Sequence, residues 1–132
     1  MSYLVDTHIL LWSIFSPQMI SQKVKKVLSE AESIKFVSVI TFWEIAIKFS
    51  LGKLDLKGVL PDALPAIAKD TRFEILDLNT ETAASFYKLQ KLGNKDPFDR
   101  MLAWQAISKD FYLLTRDKSF SVYSNLGLKI VW

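Results

Sequence analysis

The sequence predicts an α/β fold, a three-layer sandwich around a central, mostly parallel sheet of about five strands. Two observations carry this. Short apolar segments alternate with longer segments of helical periodicity along the whole chain. The short segments also lack polar alternation, so both of their faces are covered, as in a parallel sheet held between helix layers. A chain of 132 residues is near the usual size of one domain. No repeat, low-complexity tract or linker divides it, and residues 1–132 are read as a single domain.

Tyr3-Leu4-Val5 is an apolar run ending at Asp6, the pattern of a buried first strand. Thr7 to Phe15 reads as a helix that is apolar almost all round, hence packed on several sides. Ile20, Val24, Val27, Leu28 and Ala31 recur on one helical face and predict an amphipathic second helix. Phe36-Val37-Ser38 is the next strand, followed by a helix from about Thr41 to Leu51 with Gly52 placed to end it. A helix spans Leu60 to Asp70, entered through Pro61, and Phe73 to Leu76 is the third strand. Glu81 to Leu92 reads as a helix closed by Gly93, and another runs from Pro97 to Lys109. Tyr112 to Thr115 is the fourth strand, a helical turn lies around Ser119 to Tyr123, and Lys129-Ile130-Val131 is the last strand.

Composition excludes several chemistries. With no cysteine there is no disulfide framework, thiolate zinc site or cysteine nucleophile. A single histidine, His8, excludes a multi-histidine metal site within one chain. The longest apolar stretch, Ile9 to Phe15, is broken at Ser13 and falls far short of the ~20 residues that span a bilayer. No basic residue precedes Asp6 in the manner of a signal peptide, so the expected location is a reducing cytoplasm, away from membranes. A formal charge of +3 and a pI near 9.1 lean toward a polyanionic partner.

In a parallel sheet covered on both faces, ligands gather beyond the carboxyl ends of the strands. Asp6 follows the first strand directly, and Asp117 follows the fourth after Thr115-Arg116. If those strands are neighbours, their ends lie roughly 5 Å apart and the two carboxylates share a site. Glu44 lies in the helix after the second strand, and Asp96 and Asp99 open the helix after Gly93. Acids gathered this way raise one another's pKa unless a cation neutralises them. An all-oxygen cluster suits Mg²⁺ or Mn²⁺ rather than zinc.

Each acid also has a structural explanation. Thr41-Phe42-Trp43-Glu44 fits a capping box, in which Glu44 only satisfies a helix amide. Asp96-Pro97 is a common helix opening, with Asp as N-cap, and Asp99 then falls at the third position. Asp117 can cap a short helix, and Asp6 can cap the first one. Asp6 is the hardest to dismiss, because a carboxylate between an apolar strand and an apolar helix needs a strong partner. His8 reads as peripheral, and Thr115 either orients a bound water or is simply a strand residue. Arg100, Arg116, Lys48 and the lysines at 23, 25, 26 and 53 are available to phosphate, with solvated surface charge the default reading. Trp12, Trp43 and Trp104 read as core.

Four blocks together resemble a known family: Leu4-Val5-Asp6-Thr7-His8-Ile9-Leu10-Leu11-Trp12; Trp43-Glu44-Ile45-Ala46-Ile47-Lys48 with Leu51-Gly52-Lys53-Leu54; Asp96-Pro97-Phe98-Asp99-Arg100-Met101-Leu102-Ala103; and Leu114-Thr115-Arg116-Asp117. They are similar to PIN-domain proteins, and more narrowly to the VapC toxin branch, over essentially the whole chain and in order. The resemblance implies a PIN-like fold and an acidic cluster holding Mg²⁺ or Mn²⁺. It implies endoribonuclease activity that leaves a 5′-phosphate and a 3′-hydroxyl, a cognate antitoxin protein and a homodimer. Asp6, Glu44, Asp99 and Asp117 match the family's acidic quartet, Asp96 an additional acid of the branch, and Thr115 a hydroxyl residue near the metal. Where the branch commonly carries histidine, this chain has Asn94, which removes any histidine chemistry at that position. Two competing readings stand beside this one. One is a non-catalytic partner-binding domain of the same fold. The other is a different metal-dependent nuclease or phosphoryl hydrolase acting on DNA or small phosphoesters. An aspartyl-nucleophile enzyme usually carries a second acid close by, which Asp6-Thr7-His8 lacks.

Overall fold

The computed structural model describes all residues, 1–132. Five strands, β1 (Ser2–Val5), β2 (Ile34–Ser38), β3 (Glu74–Leu76), β4 (Tyr112–Leu114) and β5 (Lys129–Val131), form one sheet in the order β3-β2-β1-β4-β5. Every pairing is parallel, so the expectation of a mostly parallel sheet becomes an entirely parallel one. Six α-helices cover it: α1 (Thr7–Phe15), α2 (Gln22–Ser29), α3 (Val39–Ser50), α4 (Leu64–Asp70), α5 (Thr80–Ser85) and α6 (Pro97–Lys109). None is long and apolar enough to cross a membrane.

Successive strand residues point to opposite faces, which divides the core in two. Tyr3 and Val5 join Ile9, Leu10, Val24, Ile45, Leu64 and Ala68 on one face. Leu4 and Leu113 join Leu102, Ala103, Ala106, Phe120 and Tyr123 on the other. Helices α1, α2 and α4 therefore lie on one side and α6 on the other, the three layers expected. Lys35 is buried in β2, and its ammonium donates to the carbonyls of Leu28 and Glu30, satisfying the open end of α2.

Several boundaries differ from expectation for identifiable reasons. α2 is one turn shorter than its apolar pattern, starting after Ser21, whose hydroxyl accepts from the Val24 amide. α3 begins at Val39 rather than Thr41, because Ser38 is the N-cap and accepts from the Ile40 amide. The segment entered through Pro61 is a 3₁₀ turn, Pro61–Ala63, before α4 proper. The helix expected over 81–92 ends far earlier. α5 gives way to a 3₁₀ turn at Phe86–Lys88, and Leu89 is buried as an anchor with its carbonyl taken by the Arg100 guanidinium. The turn expected at 119–123 is a 3₁₀ helix over Lys118–Leu126. Trp43 is not core: it is 60% exposed. Trp12 and Trp104 are half-buried. α1 is less enclosed than its composition suggests, since Leu11, Trp12, Ile14 and Phe15 are only half-buried.

The chain lays down β1, β2 and β3 in one direction and then returns to the other side of β1 for β4 and β5. The order thus reverses between β1 and β4, and the crevice beyond their carboxyl ends is where such sheets place ligands. Val5 is paired with Leu114 there, and the Asp6 amide donates to the Leu114 carbonyl at 3.0 Å.

Candidate active site

Asp6 stands at this crevice, 4% exposed. Its Oδ1 accepts the Ile9 amide at 3.0 Å, capping α1. Its Oδ2 accepts the hydroxyl of Thr115, which is itself buried. Burial pushes the Asp6 carboxyl above the usual carboxylate range, against the opposing pull of those two hydrogen bonds and of His8, while Asp117 adds to the rise. Thr115 Oγ1 also accepts the Asp117 amide at 3.0 Å, so one hydroxyl ties the two acids together. Asp117 is exposed and caps the 118–126 helix through the Ser119 amide at 2.9 Å. Asp6, His8, Trp12, Arg116 and Asp117 line one open cleft of about 240 Å³. His8 is exposed there, its ring 5.6 Å from that of Trp12.

The second half of the cluster comes from α3 and α6. Because α3 starts at Val39 with Ser38 as its N-cap, Glu44 lies in its interior and caps nothing, so the capping-box reading does not apply. Glu44 is 3% exposed. It accepts the Thr7 hydroxyl at 2.7 Å and the Lys48 ammonium at 2.5 Å, and Thr41 lies 3.1 Å from Thr7. Asp96 caps α6, accepting the Phe98 and Asp99 amides at 2.9 and 3.3 Å. Asp99 is half-buried, with one long hydrogen bond from Asn94 at 3.4 Å. Burial, then Asp96, Glu44 and Asp6, push its carboxyl up to about 7. Burial alone would lower the pKa of Lys48, yet Glu44, Asp96 and Asp99 together raise it. The two halves are therefore one electrostatic neighbourhood, in which Lys48 is the resident cation.

No group of three or more acidic or histidine side chains is disposed to hold a single metal ion. Glu44 is engaged by Thr7 and Lys48, and Asp96 by the α6 amides. The donor chemistry nonetheless fits a hard divalent ion: the side chains are oxygen donors, and Asp6 and Asp99 are carboxyl groups raised first by burial and then by neighbouring acids, which a cation would offset. The partners Thr7, Thr41 and Asn94 are not foreseen from sequence. Lys48 had a signal, standing four residues after Glu44 on one helix face.

The Asp99 shift has a measurable consequence. In the unfolded chain its carboxyl ionises near about pH 4, and in the fold near about 7. Between those values the native state keeps a proton that the unfolded state has lost, so its contribution falls as pH rises and levels off above the folded pKa. Without divalent cations, Asp99→Asn should lose this penalty and melt about 2–4 °C above wild type at pH 7.5, a modest figure because the group is partly solvated, and match it near pH 4. Melting curves that stay parallel across this range would rule the shift out.

The family model for the PIN domain matches residues 3–126. No curated protein sequence matches significantly. Among solved structures, a VapBC2 complex from Rickettsia felis bound to a promoter DNA fragment aligns with TM-score 0.70 and 18% identity, covering 99% of this chain and 98% of that one. VapBC-1 from nontypeable Haemophilus influenzae gives 0.68 and 23%, covering 99% and 97%. FitAcB from Neisseria gonorrhoeae gives 0.66 and 20%, covering 98% and 96%. At these identities the likeness is one of fold.

Proposed function

The chain belongs to the PIN-domain family, and from that premise we propose that it is a metal-dependent endoribonuclease, the toxin of a toxin–antitoxin pair. The observation that carries this is the placement of Asp6 and Thr115–Asp117 at the reversal point of the sheet, electrostatically coupled to Glu44 and Asp99. Asp6, Glu44, Asp99 and Asp117 would hold Mg²⁺ or Mn²⁺. Such an ion, when bound there, would supply activation of water and polarisation of the phosphate for hydrolysis.

The chain's own residues prepare that chemistry. Thr115 holds the Asp6 carboxyl group against the backbone amide of Asp117. Thr7 holds Glu44, and Lys48 balances its charge. Asn94 steadies Asp99, and Asp96 sets the start of the helix that carries it. Hydrogen bonds of this kind orient acidic oxygens toward the phosphate ahead of the reaction.

The structures of similar fold include VapBC toxin–antitoxin proteins, and a protein antitoxin is the partner that we assign here. Trp43, exposed beside Glu44, packs edge-on at 5.5 Å against Phe98 beside Asp99. Phe42, Trp43, Ala46, Leu60 and Pro65 line a groove of about 540 Å³. A partner seated on this apolar surface would cover the acidic edge. The half-buried apolar face of α1 suits a second copy of the chain.

Purified protein should cleave total RNA with Mn²⁺ or Mg²⁺ present and leave it intact in EDTA, with 5′-phosphate ends on the products. Parallel reactions on single- and double-stranded DNA test the substrate class. DNA cleavage at equal rate would replace the ribonuclease reading by the general nuclease. Absence of any cleavage, with no shift of melting temperature on adding Mn²⁺, would leave the partner-binding domain as the better account.

A further inference from the structure

We propose that the cleft between the Lys91–Lys95 loop and α6 is a phosphate subsite that seats the RNA backbone beside the acid cluster, a proposal that rests on the nuclease reading above. This cleft, of about 390 Å³, is lined by Lys91, Gly93, Asn94, Lys95 and Arg100, with no apolar residue among them. Three of the five are cations, and none is paired with a carboxylate.

Arg100 is the fixed member. Its Nη2 donates to the Leu89 carbonyl at 3.0 Å, and its guanidinium lies 4.9 Å over the centre of the Phe86 ring. Its Nε is buried and has no hydrogen-bond partner, alone among the buried side-chain polar atoms. Buried N–H groups are nearly always satisfied, and a guanidinium held in one orientation is best satisfied by an oxyanion. Lys91 and Lys95, both exposed, add mobile positive charge around it.

The position of the cleft selects RNA backbone as the anion. Asn94 lines the cleft and also donates to Asp99 at 3.4 Å, while its side-chain oxygen accepts the Asp96 amide at 3.0 Å. The basic cleft and the acidic cluster thus share a wall. A polyanion approaching four carboxylates is repelled, and a cationic subsite alongside compensates and sets the register of the strand. Without an aromatic or apolar lining the cleft offers a base nothing to stack on, so it reads phosphate rather than sequence.

Two measurements on full-length protein test this. In the first, inorganic phosphate is titrated while the Arg100 Nε–H resonance is followed by NMR. That resonance should shift in wild type and lose the shift in Lys91→Ala/Lys95→Ala. In the second, a fluorescent 20-nucleotide RNA of mixed sequence is bound in EDTA, so that no strand is cut. The double variant should bind about tenfold more weakly, with a salt dependence reduced by about two charge contacts. Lys69→Ala/Lys109→Ala, which removes equal charge from the last turns of α4 and α6, should stay within twofold of wild type. An unmoved Arg100 resonance, or a double variant that binds RNA as wild type does, overturns the subsite. If wild type still cleaves RNA, the nuclease reading survives that result; if wild type neither binds nor cleaves RNA, both fall.

Discussion

Asp6→Asn is expected to reduce metal-dependent RNA cleavage by at least about a thousandfold while the variant melts within about 4 °C of wild type. The two halves of this expectation come from different atoms. The amide oxygen of asparagine can still accept the Ile9 amide, and Asn caps helices as well as Asp does. The charge, which burial already disfavours, is removed, and this offsets the disturbance at Thr115, whose hydroxyl must turn to face an NH₂ group. That rearrangement costs about 1 kcal/mol. Asp6→Ala is the poorer test, because it strips the cap and the Thr115 acceptor together and confounds stability with chemistry. The decisive readout is paired: cleavage rate, and the rise of melting temperature on adding Mn²⁺. Ion binding to the folded state raises the wild-type value by linkage, and Asp6→Asn should abolish most of that rise. A variant that still cleaves RNA with full Mn²⁺ dependence would remove Asp6 from the site and with it the nuclease mechanism.

The legibility of this site in the sequence follows from how local each determinant is. Asp6 is readable because a carboxylate closing an apolar strand has few structural excuses, and Asp117 comes near it once β1 and β4 are neighbours, an adjacency that the alternation leaves open and the sheet order supplies. The parallel sheet, its two apolar faces and most helix positions follow from periodicity in the same way. Glu44 is ambiguous because Thr41-x-x-Glu44 has capping-box spacing, and only the displacement of the helix N-cap to Ser38 separates the alternatives. Asp96 is a cap in fact, as Pro97 implies, yet also acts on Asp99 through its charge. The end of α5 is not readable, since Phe86 and Leu89 at i, i+3 suit both a continuing helix and an anchored loop. What decides between them is a hydrogen bond from Arg100, eleven residues onward. The basic cleft inherits that opacity: Lys91 and Lys95 resemble any surface lysines until the loop carrying them is folded against α6. Exposed Trp43 is misread for a related reason, because an aromatic residue in an apolar helix stripe signals a buried face but does not say whether this chain or another does the burying.

The largest effect on the fold should come from Tyr123→Ala, a loss of about 3–5 kcal/mol, seen as a fall in melting temperature of about 10–15 °C. The 118–126 segment is a nine-residue 3₁₀ helix, far longer than the three or four residues at which such helices usually stop. Its internal hydrogen bonds are too poor in geometry to explain that length, so side-chain anchorage must. Phe120 and Tyr123 provide it, both fully buried against Leu4, Leu113 and Leu128. Removing the Tyr123 ring leaves a cavity under β1 and β4, the two strands whose ends carry Asp6 and Thr115. The hydroxyl makes a separate contribution: it donates to the Asn94 carbonyl at 3.4 Å, a long bond that tethers the loop between the basic cleft and Asp99. Tyr123→Phe should therefore cost less than about 1 kcal/mol, and faster proteolysis in the 91–95 loop should accompany it. Calorimetry on both variants separates the two roles. Equal destabilisation by Phe and Ala would place the anchorage in the hydroxyl, whereas near-wild-type stability of Tyr123→Ala would mean that the long 3₁₀ helix is held by its own backbone after all.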